Sequence, residues 1–289
     1  MVSDTACAPA APLVERRFRL LALDIAIATN CPLLDRQLDF LVQDADQDFP
    51  LSASLRIEAM REDNLYRIAE SGERELIEYD EVAALNTIHM RCYARANAAL
   101  PPGTVFLHGA SGRIAGRRFL AIGESGVGKT TLMMHLAHLG MDVEGDELAA
   151  LTPLGLIAVP RNFHVKSPAL NQLPWLNESA ASLPSYDNGN GTCVYSVAPS
   201  RLGRPWQIGR GGVDVVFFLE SNHGGHPRIE PLPQYRMVEL AMSQARLGQR
   251  EDRSWLGPFC ALIKDAATYK LVVGDLDRTA KMLINKVSG

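Results

Sequence analysis

The sequence predicts an α/β domain over residues 103–289, preceded by a small α+β lobe over residues 1–102. Three observations carry this expectation. Strands alternate with helices from Thr104 onward, the pattern of an α/β unit. A glycine-rich loop lies between an apolar strand and a helix-forming run at residues 117–139. The first third instead shows several short strands around one long helix.

In chain order, "RFRLLALDIAIA" at residues 17–28 mixes alternation with an apolar run and reads as a strand. "CPLLDRQLDFLVQD" places Leu34, Leu38 and Leu41 at helical spacing. "ASLRIEAM", "LYRIAES" and "RELIEYD" read as short strands, with a turn at Ser71–Glu73. Residues 81–99 form a helix by propensity, ended by "LPPG" at Leu100–Gly103. "TVFLHGASG" reads as strand and turn, "RRFLAIG" as a buried strand, and residues 130–139 as a helix with Gly140 as its C-cap glycine. "GLIAVPRNFHVK" predicts two short strands broken at Pro160. Residues 177–192 read as a long loop, a functional or mobile feature when it falls inside a domain. "TCVYSVA", "GVDVVFFLE" and "YKLVVGD" read as strands. "LPQYRMVELAMSQARLG", with Gly248 near its end, and "DLDRTAKMLINKV" read as helices.

Composition narrows the function classes. The chain of 289 residues is 47% hydrophobic and 21% charged, with a formal net charge of -4. No block of like charge marks a nucleic-acid arm. The arginine pairs Arg16–Arg17 and Arg117–Arg118 read as solvated faces. The longest apolar runs fall far below the roughly 20 residues of a membrane span. The N-terminus lacks a basic start followed by an apolar run, so no secretory signal is expected. Five scattered cysteines with no C-x-x-C pair signal neither a disulfide framework nor a zinc site. A cytoplasmic protein without nucleic-acid or membrane partners is the expectation.

Gly123-Glu124-Ser125-Gly126-Val127-Gly128-Lys129-Thr130, followed by Thr131, fits G-x-x-x-x-G-K-[ST]. Glycines let the loop curl so that its amides face phosphate oxygens. The following helix presents its positive end to the same anion. In such a loop Lys129 reaches the β- and γ-phosphates, and the Thr130 hydroxyl ligates Mg²⁺.

Asp146 and Glu147 follow one helix later, on a segment expected to run back beside the P-loop strand. One acid can serve Mg²⁺ while the other takes a proton from an attacking hydroxyl. We assign Asp146 to the metal and Glu147 to the base. Glu220, ending an apolar strand, is the second choice of metal acid. Arg161 and Lys166 in "PRNFHVK" are candidate charge stabilisers for a transferring phosphoryl group; the competing reading is a solvated face. His108 precedes the P-loop strand and is a further candidate. Arg201, Arg204 and Arg210 are candidate clamps if a lid closes.

Together, "HG" at His108–Gly109, "GESGVGKTT" and "GDE" at Gly145–Glu147 resemble the HPr kinase/phosphorylase catalytic domain and its shorter HPr-kinase-related relatives. The likeness spans residues 106–283, and "VPRNFHVK" resembles the Pro-Arg…Lys stretch of the related proteins. Glu147 stands where HPr kinase has Asp, and the E-x-R-G-x-G signature is absent. The resemblance therefore implies neither HPr as substrate nor the reverse phosphorylase reaction. It implies a phosphoenolpyruvate-carboxykinase-like nucleotide fold with a mixed central sheet. Some members of the related group phosphorylate a serine on a lasso-peptide precursor, and the family's hexamers raise self-association as an open question.

These readings converge on an ATP- and Mg²⁺-dependent kinase acting on a serine or threonine hydroxyl of a protein or peptide. A small-molecule hydroxyl kinase and a nucleotide switch without transfer chemistry are the alternatives.

Overall fold

The chain enters through a hairpin where one strand was expected. β1 (Val14–Leu20) and β2 (Leu23–Thr29) pair antiparallel around Leu21 and Ala22. Both turn residues are fully buried, and Leu21 has φ 55°. A turn made of buried apolar residues carries no Gly, Asn or Pro signal, so the hydrophobic pattern runs straight through it. The computed structural model describes residues 12–38, 46–47, 50–159, 161–187, 191–203, 206–222, 224–246 and 256–289.

α1 (Pro32–Gln37) begins with proline, which suits a first helical turn; Leu41, part of the expected helix, lies outside the described residues. After β3 (Asp46–Gln47) come β4 (Ala53–Glu62), β5 (Leu65–Glu70) and β6 (Leu76–Glu78), in a sheet ordered β1-β2-β4-β5-β6. α2 (Glu81–Ala98) is capped by Asp80, whose carboxylate accepts from the Ala83 amide at 2.8 Å. Its residues Ala84, Ile88, Cys92 and Ala96 recur every fourth position and are buried in the core shared with this sheet. The stripe Val82, Asn86, His89 and Tyr93 lies on a different face.

The elements that follow are β7 (Val105–Ile114), β8 (Arg117–Gly123), α3 (Lys129–His138), β9 (Asp142–Gly145), β10 (Leu148–Thr152), β11 (Gly155–Ala158) and β12 (Phe163–Lys166). Then come α4 (Pro174–Asn177), β13 (Ser185–Asp187), β14 (Cys193–Val197), β15 (Gln207–Ile208), β16 (Arg210–Gly211), β17 (Val215–Ser221) and β18 (Arg228–Pro231). α5 (Gln234–Gln244), β19 (Ala245–Arg246), α6 (Leu256–Lys264), β20 (Ala267–Val273) and α7 (Leu276–Ser288) complete the chain. The large sheet has the path β16-β11-β10-β7-β8-β17-β20-β18, with β9 and β19 also pairing with β7. β8, β17 and β20 are parallel, while β7 and β18 run against them, so the sheet is mixed. A separate sheet, β12-β14-β13, lies beside it. One apolar cluster includes residues of both the first sheet and the large one, from Phe18 to Val287.

"GASG" is not a turn. β7 continues through it to Ile114 and turns at Ala115–Gly116. Gly109 and Gly112 are there for space. A Cβ on Gly109 would meet Ile122 Cγ2 at 2.9 Å, and one on Gly112 would meet the Asp142 carbonyl at 2.7 Å. The segment 177–192 is also more ordered than expected. It holds a 3-10 turn at Ala180–Ser182 and β13, which pairs with β14; residues 188–190 lie outside the described set. α5 stops at Gln244, and Gly248 is likewise outside. β10, β18 and α6 had no reading in the sequence. "LAALT" is a short run without alternation, and α6 carries a proline in its first turn.

Arg118 corrects the solvated-face reading of its pair. It is 2% exposed and donates from Nε to Glu144 at 2.8 Å, and to the carbonyls of Leu156 and Gly209 at 2.9 Å each. Ser111 and Arg113 bind the same carboxylate, each at 3.1 Å. This network ties β7, β8 and β9 to the outer strands. Removing one partner leaves a buried charge uncompensated, a cost of about 3–5 kcal/mol. Glu144→Ala is therefore expected to lower unfolding free energy by that order in urea denaturation. A change below about 1 kcal/mol would show that solvent reaches Arg118.

Candidate active site

β8 delivers the glycine-rich loop read above as a P-loop. Gly123 ends it tightly against β17, where a Cβ would meet the Leu219 carbonyl at 2.9 Å. Gly126 and Gly128 then take φ of 86° and 102°, conformations that glycine adopts without a side-chain clash. Glu124, Ser125 and Gly126 form an exposed rim, while Val127 anchors the loop in the core. α3 begins at Lys129 with no side chain capping its first amides, so these donors face the loop's concavity. Lys129 is 5% exposed, and its Nζ donates to the carbonyls of Gly123 at 2.6 Å and Glu124 at 2.8 Å. Thr130 and Thr131 follow on the first turn, both half-buried.

The acid pair lies beside β7, not beside the P-loop strand as the sequence reading expected. β8 already has β7 on one edge and β17 on the other. β9 and β10 both pair with β7, and the chain bends between them at Asp146–Glu147. The Gly109 amide donates to the Glu147 carbonyl at 2.9 Å and fixes the bend. Its neighbours on β7 are Gly109 and Ala110.

Arg161 arrives through the β10–β11 hairpin. The ladder pairs Thr152 with Gly155 and Ala149 with Ala158, and the Val159 amide donates to the Leu148 carbonyl at 2.9 Å. Continued outward, the same register sets Asp146 against Arg161. The Arg161 Nε stands 3.5 Å from Asp146 Oδ1, and its Nη2 is ion-paired with Glu147 Oε2. The backbone of Arg161 is held by Trp206, whose indole donates to its carbonyl at 2.9 Å. Trp206 is itself buried against Phe163, with ring centroids 5.0 Å apart.

The two carboxylates differ. The Asp146 side chain is fully buried, whereas that of Glu147 is 36% exposed. Burial pushes the Asp146 carboxyl up from its ordinary range; Arg161 pulls it down, Glu147 pushes it up, and the Thr130 hydroxyl pulls it down. Neither Asp146 oxygen has a hydrogen bond of good geometry among the described residues. Arg161 is buried too, yet its charge is reinforced: burial disfavours it, and Asp146 and Glu147 more than compensate.

The other candidates separate. His108 is buried within β7, opposite Leu148 and next to the acid pair rather than at a strand end. Lys166 is exposed at the end of β12, on the face of His164, without an ion pair among the described residues. Glu220 is 46% exposed and pairs with Lys270 at 3.3 Å. Arg210 lies on β16, four strands from β8, roughly 19 Å away at about 4.8 Å per strand. Arg201 sits in a turn whose Pro199 and Leu202 pack by Ala137 and Met141, at the end of α3 away from the P-loop. Neither is placed to clamp a phosphate on this loop. Arg204 lies outside the described residues.

No family model matches the chain, and no curated protein matches it. Among solved structures, the HPr(Ser) kinase/phosphatase from Coxiella burnetii aligns at a TM-score of 0.29 and 14% identity. The alignment covers 62% of this chain and 91% of that one. A similarity of that size assigns neither family nor activity.

The sequence reading missed the far wall of the site. His89 and Tyr93 of α2, with His164 and Tyr186, are close enough that the charge of Arg161 acts on each. Burial, helped by Arg161, lowers the His89 pKa to about 4 and that of His164 well below the ordinary value. Both rings are neutral at physiological pH. The available signal was an aromatic pair at i, i+4 on a helix whose other face already supplied a core stripe. No helix among the described residues is long and apolar enough to cross a membrane, and the four described cysteines are free.

Proposed function

We propose that this chain is an ATP- and Mg²⁺-dependent kinase that phosphorylates a serine or threonine hydroxyl on a protein or peptide. The observation that carries the reading is the pairing of a P-loop with two unequal carboxylates on one guanidinium. Asp146 is buried between Thr130 and Arg161, and neither of its oxygens has a hydrogen bond of good geometry among the described residues. Glu147 is held by the same Arg161 but is turned toward solvent.

The residues present fit the missing groups. An orphaned buried carboxylate next to the P-loop threonine hydroxyl suits a hard divalent cation, so Thr130 and Asp146 would hold Mg²⁺. When bound, the ion supplies positive charge that neutralises phosphate oxygens. The open glycine loop and the uncapped start of α3 suit the phosphates of a nucleotide. Lys129, now satisfied by two loop carbonyls, carries the charge that these phosphates would attract.

In this reading Glu147 accepts the proton of the acceptor hydroxyl, and Arg161 holds that carboxylate ionised and in place. A hydrolytic switch needs only a positioned water, whereas an alcohol acceptor gains from a carboxylate that reaches solvent. The experiment follows γ-³²P-ATP with serine- and threonine-containing peptide mixtures and separates labelled peptide from free phosphate. Labelled peptide is the expected product. Free phosphate alone, at the same rate with and without peptide, would favour the switch.

A further inference from the structure

Near the acid pair lies a narrow cleft, partly open to solvent. One wall is α2, through Val82, Asn86 and His89; the other is the small sheet, through His164, Ser185 and Tyr186. The α2 residues belong to the stripe turned away from the helix's own core. Tyr93 stands four residues beyond His89 on that stripe, about 6 Å along the axis at 1.5 Å per residue. The helix therefore leads from the cleft to the acid pair, since Arg161, Glu147 and Asp146 all act on the Tyr93 hydroxyl.

Two atoms in this region lack partners. The Tyr93 hydroxyl and the Gln37 Oε1 are buried without a hydrogen bond among the described residues. The Gln37 amide nitrogen is already used, donating to Glu81. Buried polar atoms left unpaired are costly, and here they offer a carbonyl acceptor and a phenol hydroxyl to an incoming group. The cleft side chains are uncharged: Gln37, Val82, Leu85, Asn86, Pro184, Ser185, Tyr186 and Ser196, with two histidines that burial keeps neutral. Formal charge stands behind the lining, with Glu81 bonded to Gln37 at one end and Arg161 with the acids at the other.

We propose that α2 of the N-terminal lobe forms one wall of the acceptor site, and that the cleft takes an uncharged peptide segment carrying the acceptor hydroxyl. A backbone amide of the segment donates to Gln37 Oε1, and the hydroxyl points past Tyr93 toward Glu147. This inference rests on the kinase reading and narrows its substrate class. An ionised side chain entering the cleft would lose water and meet no charged group in the lining itself.

The test uses the full chain, γ-³²P-ATP and three serine-centred peptide mixtures with uncharged, acidic or basic flanks. Binding of a fluorescent ATP analogue is measured in parallel. Uncharged flanks are expected to be phosphorylated about 10-fold faster. Asn86→Arg and Ser185→Lys place a charge on opposite walls at exposed positions. Each is expected to raise the KM for the uncharged mixture by roughly 10-fold with ATP binding retained. If all three mixtures are phosphorylated equally, or both variants keep the wild-type KM, the inference falls and the kinase reading stands. If the wild type binds ATP yet labels no mixture, the peptide-kinase reading and the inference fall together.

Discussion

Lys129→Ala is expected to lower phosphoryl transfer by on the order of 10²- to 10³-fold, with the fold retained. The magnitude is that of removing one preorganised donor from a charge-stabilising site. Phosphoryl transfer depends on positioning and electrostatics more than on covalent chemistry with the protein. Lys129 is the P-loop cation, buried at the start of α3 and bonded to the Gly123 and Glu124 carbonyls. Alanine is a good helix former, so α3 keeps its first turn. Of the carbonyls it releases, that of Glu124 belongs to the exposed rim, while that of Gly123 is buried. Lys129→Arg serves as the sharper control, because a planar fork does not reproduce a compact ammonium in a closed loop. Peptide labelling from γ-³²P-ATP reads the loss, and circular dichroism with a thermal melt reads the fold. Wild-type transfer by a folded Lys129→Ala protein would mean that the loop does not hold the reacting phosphate.

Asp146→Asn and Glu147→Gln keep size and remove charge. Transfer is expected to fall by about 100-fold or more in at least one of them, the usual worth of a positioned base. The structure separates their signatures. Asp146 is the buried partner of Thr130, so its loss is expected to shift the Mg²⁺ dependence of nucleotide binding to higher concentration. Glu147 is the partly exposed member, so its loss is expected to lower the transfer rate while the Mg²⁺ dependence of binding stays unchanged. Arg161 keeps one carboxylate in either variant, which limits damage to the fold. Equal transfer by both variants and the wild type would reduce the pair to a structural ion-pair network around Arg161.

Gly109 and Gly112 show where sequence reading reached its limit. Two glycines in four residues signal a turn when read locally, but here each makes room for a neighbouring strand or its side chains. Arg118 looks solvated in a pair of arginines and is instead a buried member of a six-group network. α2 was legible as a helix from its propensity and period. Its second face was not, because a helix's period shows which residues share a side and not what that side meets.

The sequence by itself determined the glycine-rich loop and the helix after it, and it placed two acids one helix later. The loop and helix are contiguous, and their geometry follows from local backbone freedom and residue spacing. Only the tertiary structure decided that Arg161 meets both acids, that Arg201 and Arg210 stand away from the glycine-rich loop, and that α2 lines the cleft. Those meetings depend on which strands pair and in what register. Register is set by side-chain packing between segments far apart in the chain, and no local periodicity encodes it.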